Sequence, residues 1–141
     1  MQSSTVTKWL IICLSVLAVA QSLWIFTPNP KPELSKVINS YPIGTQSAVY
    51  EVLSNSGGAT VPMTYLYFVA GRKSDETQVL KMLGDHYPFL VTRQPGAITA
   101  VNGLRITART HDSVYSFTSE SLLREGGEVE PVSIDLTASS Q

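Results

Sequence analysis

Eighteen consecutive residues without a charge, Trp9 to Phe26 (WLIICLSVLAVAQSLWIF), constrain this chain more than any other feature. A helix of that length rises roughly 27 Å, which matches the hydrocarbon thickness of a bilayer. Lys8 precedes the run, and Thr27-Pro28-Asn29-Pro30-Lys31-Pro32 follows it, where prolines that lack an N–H cannot prolong a helix. Trp9 and Trp24 stand 15 residues apart. As a helix this separation sets one indole near each headgroup boundary. The segment 9–26 therefore reads as a single-pass transmembrane signal-anchor, with residues 1–8 as a short cytoplasmic tail.

A cleavable signal peptide is the competing reading, because Ala18-Val19-Ala20 has the small-x-small form that precedes a cut. Cleavage after Ala20 would leave Leu23, Trp24, Ile25 and Phe26 as an apolar free end in water, so the retained anchor is preferred. Both readings carry the C-terminal part out of the cytoplasm. Leu10-Ile11-Ile12-Cys13 only superficially suggests a lipidation box, since a bulky Ile precedes the cysteine.

The rest of the chain is long enough for one domain. A net charge of -1 supplies no positive field for a polyanion, so nucleic acid is not an expected partner. The single cysteine, Cys13, lies inside the apolar run, which leaves the folded part without a thiol for a disulfide, a nucleophile or a metal. None of Asn29, Asn39, Asn55 and Asn102 begins a glycosylation sequon. Together these point to a bacterial inner membrane, with the domain facing the periplasm.

Residues 27–45, rich in Pro, Asn, Ser and Lys, read as a tether, with one modestly apolar patch at Leu34, Val37 and Ile38 spaced as in a helical turn or two. Residues 46–141 carry the domain. Ala48 to Leu53 and Met63 to Ala70 have strand composition and flank a Gly57-Gly58 turn, so they predict an antiparallel pair. The helix signal is strongest after Ser74: a Ser cap, Asp75 and Glu76 in the first turn, Val79, Met82 and Leu83 on one face, and Gly84 as a stop. Its apolar face is expected against the Leu66 and Phe68 side of the second strand. Short strands follow over 89–93, 97–101, 104–109, 114–118, 122–125 and 129–136. Asn102-Gly103 predicts a two-residue turn pairing Val101 with Leu104. The expected class is α+β: an N-terminal transmembrane helix, then a small, mainly antiparallel sheet domain with one principal packed helix.

Chemistry is sparse in this sequence. His86 and His111 each neighbour an aspartate, Asp85 and Asp112, but both fall where turns are expected, and turns favour these residues for solvation. No serine sits in a nucleophile elbow, and no phosphate-cradling loop is present. The acids Glu120, Glu125, Glu128, Glu130 and Asp135 read as the charged edge of a solvated hairpin, in preference to a calcium or basic-partner site. Tyr65 and Tyr67 alternate with Leu66 and Phe68; together with Tyr50 they form either a second core layer or a partner-binding face. No catalytic, cofactor or metal residue is assigned. The expectation is a non-enzymatic accessory or interaction module of the cell envelope, bound to the membrane and to an envelope protein. The alternatives are a small inhibitor or immunity-type protein and, less favoured, an enzyme using His86 or His111.

Overall fold

The computed structural model describes residues 3–25, 31–55 and 62–139 of the chain. Phe26 to Pro30, the Gly57-Gly58 turn and the side chain of Trp24, which carried the expected helix stop, hairpin turn and second belt tryptophan, lie outside the described residues. The chain divides into one unit ending at Lys31 and a second beginning at Pro32.

The first unit is the helix α1, Ser3–Ile25. Its 23 residues span roughly 34 Å. It starts ahead of Trp9 and takes in most of the segment expected as a tail. Within it, Thr5–Ser22 is long and apolar enough to cross a membrane. Side chains such as Trp9, Leu14 and Val19 are exposed, so water is a poor solvent for this surface. The Ser15 and Ser22 hydroxyls donate to the carbonyls of Ile11 and Ala18 at 2.8 Å, which satisfies them within the helix itself.

The second unit has three layers. Strands β1 (Leu34–Ile43), β2 (Ser47–Ser54), β3 (Thr64–Gly71), β4 (Leu90–Thr92) and β7 (Val114–Phe117) form one sheet in that order. Strands β5 (Ile98–Asn102), β6 (Arg105–Thr110), β9 (Glu128–Ala138) and β8 (Glu120–Glu125) form the other. Every pairing is antiparallel except that of β6 with β9. The α+β class expected from the sequence is the class observed.

Alternation along β2 and β3 decides the layering. Ala48, Tyr50 and Val52, with Leu66, Phe68 and Ala70, turn to one side and meet Val79 and Leu83 of α2 (Glu76–Leu83). Val49, Tyr67 and Val69 turn the other way and meet Ile98, Ile106, Leu123, Val132 and Ile134 of the second sheet. The five-stranded sheet is thus apolar on both faces, while the outer face of the four-stranded sheet is solvated. Asp75, rather than Ser74, caps α2: its backbone is extended and its carboxylate accepts the N–H of Gln78 at 3.2 Å.

Two local expectations are corrected. The segment read as a tether contains the ten-residue strand β1; only Leu34, Val37, Tyr41 and Ile43 are even partly covered, so the apolar signal is thin. It is an edge strand with two register shifts, and the Glu76 carboxylate takes the N–H of Val37 at 2.9 Å. In the β5–β6 hairpin, Asn102 pairs with Arg105 and Val101 with Ile106. The turn is Gly103-Leu104, one residue later than expected, because only Gly103 takes the positive φ.

Candidate functional site

Strand alternation puts Glu51 on the same side of β2 as Val49, between the two sheets, where it is fully buried. A carboxylate there requires donors, and three converge on it. Oε1 accepts the N–H of Gly96 at 2.7 Å and lies 3.2 Å from the Tyr67 hydroxyl; Oε2 accepts Asn39 Nδ2 at 2.8 Å. The Tyr67 oxygen also accepts the N–H of Ala97 at 3.0 Å and lies 3.1 Å from the Gln94 carbonyl, so its one proton is shared between two acceptors. Burial pushes the Tyr67 phenol above its ordinary value; the Ala97 N–H opposes this and Glu51 adds to it. Tyr41 is raised too, by burial and then by Glu51. The loop at Gly96 is thereby laced to β1, β2 and β3, and Gly96 holds a φ of +66° to do so.

A second polar cluster ties β4 to β6. Buried Thr92 and Thr110 touch through their hydroxyls at 3.3 Å, Thr92 donates to the Ser113 carbonyl at 2.9 Å, and Gln94 Oε1 accepts the N–H of His111 at 2.6 Å.

Glu125, at the end of β8, reaches across to the β1–β2 turn. Its Oε1 accepts the Gln46 N–H at 2.8 Å, and its Oε2 accepts the Thr45 N–H at 3.1 Å and the Thr45 hydroxyl at 2.8 Å. These donors, the Gln46 N–H foremost, hold the carboxyl down to about 2. Gly44 makes room: a Cβ there would stand 2.7 Å from Glu125 Oε1, and its φ is +61°. Elsewhere in the acidic group Asp135 meets Arg105 at 3.5 Å.

Of the three tyrosines expected on one face, Tyr65 and Tyr67 share the side turned to the second sheet, as a second core layer, and Tyr50 does not. Tyr50 lies under α2 and is buried, with its hydroxyl on the Gly71 carbonyl at 3.3 Å; Tyr67 is buried between the sheets, and Tyr65 packs partly buried against that same core. Tyr50 opposes Phe68 in the register, which sets it on the helix side. The two histidines also sit apart in the fold. His86 follows α2, with Nδ1 2.9 Å from the Met82 carbonyl; His111 follows β6, with Nδ1 2.6 Å from the Ser139 hydroxyl. Among the described residues no group of three His, Cys, Asp or Glu could hold a metal ion.

Two surface depressions flank the five-stranded sheet. One, of about 560 Å³, lies between the end of β3 and β8 and includes His86, Leu122 and Arg124 but not His111. The other, also about 560 Å³, lies beyond α2 on the outer face and is walled by Leu66, Pro88, Val91 and Ser116. Tyr87 borders both and is 91% exposed. Sequence reasoning missed Glu51; the available signal was an acid at an inward position of the otherwise apolar run AVYEVL.

No family model matches this chain, and no curated protein or solved structure matches it either.

Proposed function

We propose that this chain is a non-enzymatic interaction module, tethered by α1 to the bacterial inner membrane with its C-terminal domain in the periplasm, and that it holds a partner protein of the envelope. The observation carrying this reading is the outer face of the five-stranded sheet beyond α2. The eight-residue helix packs over β1, β2 and β3, and beyond it an apolar depression remains, walled by Leu66 and Val91, with Tyr87 standing free at its rim. An uncovered aromatic beside an apolar hollow is the usual anchor of a protein contact. The buried polar groups support the same reading, because Glu51, Tyr67, Thr92 and Thr110 are engaged in joining strands and loops.

The test is a photoreactive phenylalanine analogue placed at Tyr87 of the full chain in intact cells, with Thr99 on the other sheet as control. A discrete adduct to one envelope protein from position 87, absent from 99, is expected. No adduct, or the same adducts from both positions, would overturn the proposal. Recovery of the intact chain in the supernatant of an alkaline carbonate wash would overturn the tether.

A further inference from the structure

Among the described residues the two sheets have four edge strands, and three of these are irregular. β1 has two register shifts and Pro42, β7 is shifted against β4, and β5 is shifted against β6. Such irregularities blunt an edge against pairing with another chain. β8 alone runs in unbroken register with its neighbour, from Glu120 opposite Ser133 to Glu125 opposite Glu128.

The direction of its free hydrogen-bonding groups follows from that register. Ile134 donates its N–H to the Ser119 carbonyl at 2.8 Å, so odd-numbered residues of β8 exchange bonds with β9 and even-numbered ones turn their N–H and C=O outward. The outward set is Glu120, Leu122 and Arg124. Their side chains share the solvated face and all three are exposed, Leu122 by 58%. Neither Glu120 nor Arg124 has an ion-pair partner among the described residues. The edge borders the open depression beside β3.

The order of those side chains is acid, apolar, base, at equal spacing, and this pattern complements itself when reversed. In an antiparallel pair of two copies centred on Leu122, Glu120 of each copy opposes Arg124 of the other, and the two leucines meet on the axis. A shift of two residues either way along the outward set sets Leu122 against a charge; a shift of four sets Glu120 against Glu120 or Arg124 against Arg124. A parallel pairing in register opposes like charges as well. Only the centred antiparallel register matches every position, and in it the outward N–H and C=O groups of both copies bond to one another.

We infer that β8 is the site of self-association: two copies join edge to edge through Glu120, Leu122 and Arg124, making one continuous sheet of their two four-stranded sheets. This is independent of the partner surface beyond α2. A seam of one strand is small for a stable complex, so copies confined to one membrane associate more than copies diluted in detergent.

The test uses the full chain with Cys13→Ala and a single new cysteine. In a hydrogen-bonded antiparallel pair opposing Cα atoms lie about 5.5 Å apart, within disulfide reach. Leu122→Cys is therefore expected to give a disulfide-linked dimer under mild oxidation, and Ser121→Cys, facing inward, is not. Adding E120K or R124E to the Leu122→Cys chain replaces both charge pairs by repulsions and lowers the dimer yield roughly tenfold. Mixing those two variants restores it as the mixed dimer, as does E120K with R124E in one chain. Equal linkage at 121 and 122, linkage to a different polypeptide, an absence of linkage, or indifference to single charge reversal would each overturn the inference. Circular dichroism of each variant distinguishes lost association from lost folding.

Discussion

Two carboxylates in this domain do a similar job in opposite surroundings. Glu51 sits between the sheets without solvent exposure and accepts Gly96, Asn39 and Tyr67; Glu125 sits at the rim and accepts Gln46 and Thr45. Each pins a loop that is remote in sequence, the Gly96 loop in one case and the β1–β2 turn in the other. The difference lies in what replaces the interaction when it is lost. Water can reach the groups around Glu125, whereas the donors around Glu51 have no substitute. The comparison teaches that a fully engaged buried acid stiffens a small core, while the same chemistry at the surface registers chiefly as a response to pH.

The largest expected effect comes from Glu51→Gln. The new amide turns an N–H₂ towards existing donors, and the loss should be about 3 kcal/mol in chemical unfolding of the full chain. A loss below about 1 kcal/mol would show that the buried network is dispensable. Gly44→Ala should cost about 1–2 kcal/mol, because alanine resists a φ of +61° and its Cβ would crowd the Glu125 carboxylate. That result would show how strictly the rim clamp is shaped. Tyr67→Phe should cost about 1 kcal/mol, removing one donor to Glu51 and the acceptor for Ala97 while preserving the ring.

How much of this was legible before the structure depended on whether a signal was local. The α2 helix, β2 and β3, and the sidedness of Leu66 and Phe68 are written in short-range periodicity, and they stand where expected. β1 escaped because its inward positions are few and spaced irregularly by bulges, so Pro42, Asn39 and Lys36 read as a tether. The face of Tyr50 depends on its partner Phe68, a long-range register that composition does not carry. Glu51 was visible only as an acid among apolar neighbours. Its donors come from Asn39, Tyr67 and the Gly96 loop, which no spacing rule unites.

The smallest expected effect is also the most diagnostic of the rim. Glu125 has a folded value of about 2, below its ordinary 4.5, so its contribution is complete above about 4.5 and fades as the pH falls towards 2. Unfolding midpoints of the parent and Glu125→Gln chains should therefore differ most at neutral pH and converge in acid. Curves that stay parallel down to pH 2 would mean that the clamp does not form in solution.

The central claim is that the polar centre between the sheets, more than the clamp at the rim, fixes this domain. Denaturant unfolding of Glu51→Gln and Glu125→Gln, side by side at pH 7 in the full chain, tests it most directly. A clearly larger loss for the Glu51 variant is the predicted result; equal losses, or a larger one for the Glu125 variant, would contradict it.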